Sequence, residues 1–291
     1  MSRTEQHCAC NHPELVRLPV HGLALEVDTS GLVPAPGPAL ACRERVDQDM
    51  HIYVNGNLSE SGDGLSPETA VKSYADAVLA LSRYDGCNTH AAHLHFLPLE
   101  DPDASYSDFT VYTVTYNSFT TLSISGESNE TTRLGSCTFY IGTRITISNI
   151  CLESLTCLGS YTYISGNISF KPRNARYIID LNHGGYLAVL EDANVYFHNC
   201  SCLSCIKITR SMAGLAAGSK FYTVGDISVS VAFMYAQYNS TFTMGKTVDF
   251  SGCASVTGKR YRLGGLSYLY SNGISLPGNQ APQVETGSVY V

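Results

Sequence analysis

Six short segments of this chain share one form, polar, apolar, polar, apolar, and no ordinary globular sheet keeps such a pattern in phase for so long. They are Thr121–Ile124, Arg144–Ile147, Asn167–Phe170, Asn194–Phe197, Asp226–Val229 and Thr247–Phe250. Measured between their first apolar residues (Leu122, Ile145, Ile168, Val195, Ile227 and Val248), the spacings are 23, 23, 27, 32 and 21 residues. That period belongs to a solenoid, in which each coil buries its apolar positions against its neighbours. Turn-forming residues keep phase with the anchors at Gly142, Ser165, Asp192, Gly225 and Gly245, and apolar residues lie six before several of them, at Phe139, Val189, Phe221 and Phe242. With no helical period between the strands, the pattern predicts parallel strands stacked coil on coil around an apolar axis.

Composition agrees. Charged residues make up 15% of the 291, while 32 Ser, 23 Thr and 15 Asn outnumber all 43 charged side chains. Equivalent residues on adjacent coils sit about 4.8 Å apart, where hydroxyls and amides stack but like charges repel. A net charge of -7 without a Lys/Arg cluster argues against nucleic acid as a partner. No 18-residue apolar run exists, which predicts neither membrane insertion nor a signal peptide. Eleven cysteines without such a leader read as free thiols of a reducing cytoplasm, and the sequons at Asn57, Asn129, Asn167, Asn199 and Asn239 then carry no weight.

The chain divides into four parts. Residues 1–48 hold five prolines and no sustained periodicity and read as an extended arm. Residues 49–92 hold an opening strand at His51–Val54 and one amphipathic helix of about 15 residues, with Ser66 as N-cap and Pro67 at its first position. Residues 93–254 form the solenoid, and 255–291 a C-terminal cap or tip.

Ile52-Tyr53-Val54-Asn55, Asp63-Gly64-Leu65-Ser66-Pro67 and the following Ala70, Ser73, Ala75 and Ala77 resemble the opening of pectin-lyase-like proteins. Many such openings occur in phage and prophage tail fibres and tailspikes. The segments Gly258–Tyr261, Leu276-Pro277-Gly278, Gly287 and Tyr290 resemble the ends of prophage tail proteins. The resemblance implies an all-β, right-handed, single-stranded parallel β-helix with one short N-terminal capping helix. It further implies a non-catalytic protein of the virion tail, assembled in the bacterial cytoplasm and forming a homotrimer. Such a protein joins other tail proteins through its N-terminal arm and binds a host surface polysaccharide or receptor.

Several residues bear on chemistry. The outward positions Arg144, Asn167, Asn194 and Tyr196 are candidates for hydrogen-bonding and stacking on sugars. Asp226 and Asp249 are expected outward on adjacent coils, with Cα atoms roughly 8 Å apart, a spacing that suits an inverting glycosidase or other polysaccharide-degrading enzyme. That enzyme is the alternative reading. No Lys/Arg constellation of the polysaccharide-lyase kind is evident on the face. Cys200 and Cys253 occupy a repeat position that Ile150 fills elsewhere and read as core, and Cys200-Ser201-Cys202-Leu203-Ser204-Cys205 reads as a cysteine-rich turn. His7–His12 is too compact for a one-chain tetrahedral site, and His93 and His95 read as exposed side chains on one side of a strand. The Glu100–Asp103 stretch with Asp108 reads as a solvated loop. No metal or other cofactor is expected. Tyr261, Tyr268 and Tyr270 fit either a subunit interface or a receptor surface.

Overall fold

A computed structural model describes residues 43–112 and 118–291. The chain winds as a right-handed parallel β-helix, the hand that a crossover between parallel strands takes. All named strand pairs are parallel, and each coil contributes to up to three faces. The first face stacks Met50–Val54, Ala92–Phe96, Leu122–Gly126, the start of Arg144–Leu158, the start of Tyr161–Phe170, Tyr186–Val189, Met212–Leu215, Thr241–Met244, Tyr268–Tyr270 and Val289–Tyr290. The second stacks the start of Arg133–Phe139, then residues 150–152, 167–170, Asn194–Cys202, Lys220–Val229 and Asp249–Gly252. The third runs from Phe109–Val111 through residues 137–139 and 155–157, Tyr177–Asn182, Ser204–Thr209, Met234–Gln237 and Tyr261–Leu263 to Gln283–Val284.

Period two places alternate side chains inside, and the inward ones form columns. On the first face Ile52, Leu94, Ile124, Ile147, Ile164, Val189, Leu215 and Met244 lie in successive register, all buried. On the third, Val111, Phe139, Cys157, Leu181, Ile208, Ala236 and Leu263 do the same. Rings fill the second: Phe170 stacks on Phe197 at 5.7 Å between centroids, and Phe233 meets Phe197 edge-on at 5.8 Å. Cysteine as a core residue is seen at Cys137, Cys157, Cys202, Cys205 and Cys253, all buried. Burial pushes the Cys157 thiol up to about 11 and Cys253 up to about 12. Cys200 is only half-buried, opposite Ile227, and Cys200, Cys202 and Cys205 lie within strands rather than in a turn. All eight described cysteines are free.

The parallel solenoid is as the periodicity predicts, but its phase is not. Leu122 pairs with Ile145 as expected, yet the coil after Ile145 is short and puts Thr162, not Ile168, beneath it. Ile168 and Val195 pair on the second face, and Val248 sits in a turn with its N–H on the Gly245 carbonyl. Single left-handed residues make the corners at Asn149 (φ 54°) and Gly166 (φ 60°), where Asn149 Oδ1 accepts from the Asn167 N–H at 3.2 Å. A corner this tight lets the alternation run on from one face to the next, so the pattern does not say which face a segment occupies. The coils also begin earlier and end later than expected. Met50–Val54 pairs with Ala92–Phe96, and strands up to Val289–Tyr290 keep the register, so residues 93 and 254 fall inside the solenoid.

The helix is shorter and starts later, at Tyr74–Leu81. Its N-cap is Ser73, whose Oγ accepts from the Asp76 N–H, while Asp76 in turn takes hydroxyl bonds from Ser61 and Ser73. Ser66 instead turns the loop before it, accepting from the Thr69 N–H at 3.3 Å. Ala77, Ala80 and Leu81 bury the helix on the first coil's core.

Part of the serine and threonine excess lies inside. Thr143, Ser160, Ser211, Ser240 and Ser267, each preceding a first-face strand, form a buried column at one corner. All but Ser160, whose Oγ meets Thr162 Oγ1, donate to nearby carbonyls, as Ser267 Oγ does to Gly264 O at 2.7 Å.

Candidate functional site

The outer surface of the second face carries three columns of side chains. Asn167, Asn194, Lys220 and Asp249 form the first, and Arg133, Cys151, Ser169, Tyr196 and Tyr222 the second. Just beyond the strand, His198 faces Val224, and Lys171 occupies the matching place one coil earlier. Three of the four outward residues singled out from sequence therefore meet here. Asn194 Nδ2 donates to Asn167 Oδ1 at 3.0 Å, and the Tyr196 ring stacks on Tyr222 at 4.8 Å and 14°. The fourth, Arg144, begins a first-face strand next to Tyr161 and lies on another side of the solenoid.

Two loops turn this surface into a groove. Asn129, in the loop after the first-face strand of its coil, reaches over to donate to Ser169 Oγ at 2.8 Å. Arg133 is buried beneath the acidic stretch, with its guanidinium on the carbonyls of Pro102 (3.3 Å) and Asp103 (3.2 Å) and 3.5 Å from the Asp103 carboxylate. That stretch is thus a wall of the groove, tied down further by Arg173 on Asp103 O (3.3 Å). Asp108 accepts from the Ser136 N–H at 2.7 Å. One cavity of about 430 Å³ runs along Asn129, Glu130, Asn167, Ser169 and Tyr196 to Lys171 and His198. A second, of about 410 Å³, continues from Lys171 and His198 to Arg173 and Asn199.

The basic residues are the feature that sequence inspection missed. Arg133, Lys171 and Arg173 stand 38 and 2 residues apart in sequence, which conceals them as a group. Coil stacking brings them to one groove beside His198. The imidazole of His198 is held below its ordinary basicity, first by burial and then by the positive charges of Lys171 and Arg133.

The proposed carboxylate pair does not assemble. Asp249 lies opposite Lys220, whereas Asp226 is six residues further along the same strand, next to Ile227, which pairs with Val256. Six residues of strand and the left-handed corner at Gly225 (φ 86°) separate them, so they do not face one another on adjacent coils as an inverting pair must. Asp249 is held below the usual carboxylate range, chiefly by the Ser251 N–H, the opposite of what a general acid requires. The 8 Å expectation followed from placing Val248 in the ladder, where the turn instead shifts the phase.

A second cluster lies on the first two coils. His51 stacks on His93 at 4.6 Å between centroids, and His51 Nδ1 lies 2.9 Å from His95 Nε2, whose Nδ1 meets Ser125 Oγ at 3.0 Å. Asp49 sits 3.6 Å from His93 and 3.8 Å from His90. Burial, followed by the charges of His51 and His93, holds His95 at about 4, so it is not the simple exposed histidine expected. Among the described residues no three His, Cys, Asp or Glu converge as a metal site. The His7–His12 stretch and nearly all of the arm lie outside the described residues. Among the described residues no helix is long and apolar enough to cross a membrane.

The first face differs in its outer column: after Arg144, it runs through Tyr161, Tyr186, Met212, Thr241, Tyr268 and Val289 without a further charge. Tyr268 and Tyr270 belong to this surface. Tyr261 is buried, which removes it from the surface candidates.

Fold and groove define a right-handed parallel β-helix with a polar, partly cationic cleft along its second face. Comparison with protein-family models, with curated proteins and with solved structures gives no match to this chain.

Proposed function

We propose that this is a tail fibre or tailspike-like protein of a phage particle that binds a host surface glycan, without cleaving it, in the second-face groove. A β-helix alone serves lyases, hydrolases and binders alike, so the reading rests on the site. The observation that carries it is the stacked Tyr196–Tyr222 pair beside the hydrogen-bonded Asn167–Asn194 pair. Flat rings cover the apolar face of a sugar while fixed amides and hydroxyls meet its hydroxyl groups. Binding rather than cleavage is supported by the separation of Asp226 from Asp249.

In this reading three chains associate, and the uncharged tyrosine and methionine column of the first face is the surface that fits a chain-to-chain contact. The arm before residue 49 would join the particle. Incubation with host envelope polysaccharide tests the reading. Retention of the polymer by the full chain at unchanged length, lost in Tyr196→Ala, is expected. Shortening of the polymer would replace binding by catalysis, and absence of retention would remove the groove as a receptor site. Light scattering at the mass of one chain would remove the trimer.

A further inference from the structure

We infer that the Lys171–His198 end of the groove receives an anionic substituent, a carboxylate or phosphate, so that the glycan bound is an acidic one. This rests on the glycan-binding reading above and names the class of sugar.

The chain as a whole carries 18 Lys and Arg against 25 Asp and Glu. In the cavity of about 410 Å³ the balance reverses: Arg133, Lys171 and Arg173 face it with Asp103 as the one carboxylate, beside His198. Two of the cations are already engaged, Arg133 with Asp103 and Arg173 with Glu153 at 3.1 Å. Lys171 is different. Its backbone N–H is fixed on Leu152 O at 2.8 Å and Pro172 follows it, yet its ammonium has no hydrogen-bond or ion-pair partner among the described residues. The same holds for the ring nitrogens of the half-buried His198, one coil away. A carboxylate placed between them would accept charge-assisted bonds from Lys171 and from a protonated or suitably tautomeric His198. Glu130, near Tyr196, lines the neighbouring cavity of about 430 Å³ but not the one around Arg173.

Tyrosines and cations together also suit single-stranded nucleic acid. That ligand needs positive charge tracking a backbone over many nucleotides, whereas here the charge is confined to one end.

The probes are oligogalacturonate, hyaluronan and oligosialate, each beside its carboxyl-reduced neutral counterpart, with a glycerol-phosphate oligomer and an oligothymidylate. Titrations use the full chain, Tyr196→Ala, Lys171→Gln, Lys171→Gln with His198→Gln, and Lys246→Gln as an equal charge change on a distant turn. At least one acidic oligosaccharide or the glycerol-phosphate oligomer should bind about tenfold or more tightly than the neutral counterparts. That preference should vanish in the double variant and persist in Lys246→Gln. Which probe binds separates carboxylate from phosphate. Lys171 is exposed, so Lys171→Gln alone tests the idea if the double variant does not fold. Equal affinity for acidic and neutral sugars, lost in Tyr196→Ala, would overturn this inference and leave the glycan-binding reading in place. Absence of binding by every sugar and by the glycerol-phosphate oligomer would overturn both, and tighter binding of oligothymidylate would replace the sugar by nucleic acid.

Discussion

The first and second faces are built by the same ladder and share one core, yet their outer surfaces have little in common. Along the first, beyond Arg144, Tyr161, Tyr186, Met212, Thr241 and Tyr268 follow in register, mostly aromatic and without a further charge. Along the second, Asn167, Asn194, Lys220 and Asp249 run beside Tyr196 and Tyr222, and the loops at 101–103 and 128–130 lean over them. Parallel stacking sets where a side chain points but not what it is for. A flat column of rings suits another flat surface. A column of amides walled by loops and ending in cations suits a polar chain lying along it.

The largest effect tests what the faces share. Phe197→Ala removes the ring between Phe170 and Phe233 and should cost about 3 to 5 kcal/mol, lost in a single urea transition. Two separate transitions would break the idea of one core beneath both faces. The corner between the faces comes next. Gly166→Ala places a Cβ 2.7 Å from Asn149 Oδ1 in a left-handed conformation and should cost about 1 to 2 kcal/mol in the same assay. A variant as stable as the parent would mean that the corner tolerates another conformation.

The difference between the outer surfaces is sharpened by paired substitutions. Tyr196→Ala should weaken glycan binding about tenfold, the loss of about 1.4 kcal/mol of stacking, whereas Tyr161→Ala should leave it unchanged. Equal losses in both would erase the distinction between faces. A pH-dependent effect belongs to the histidine stack on the outside of the first two coils. His95 is held at about 4 in the folded chain, below the value of about 6.5 it takes when unfolded. The unfolded state therefore binds more protons between those values, and stability should fall as pH drops from about 6.5 towards 4. Thermal melts at stepped pH should show that decline flattened in His95→Gln; identical slopes would place the sensitivity elsewhere.

Much of the fold was legible because a solenoid repeats one physical constraint. Leu122 over Ile145 and Ile168 over Val195 are true coil neighbours, read from spacing alone. The helix was legible in kind but not in extent: Ser66-Pro67 reads as its start, whereas Ser66 turns the preceding loop and Ser73 caps the helix. Asn167, Asn194 and Tyr196 were legible as outward residues. Arg144 was grouped with them because alternation continues through the corner at Asn149 and carries no mark of the face. The buried serine column at the corner before the first face was not legible, since serine before a strand looks the same exposed or enclosed.

By itself the sequence determined the class of structure: parallel coils, low charge, a core that accepts cysteine, and alternation of inside and outside. Those follow from local periodicity, which every coil states again. Only the tertiary structure decided the register, because coils of unequal length move residues between faces without altering the pattern. Register in turn set Asp226 apart from Asp249 and brought Arg133, Lys171 and His198 together from three coils.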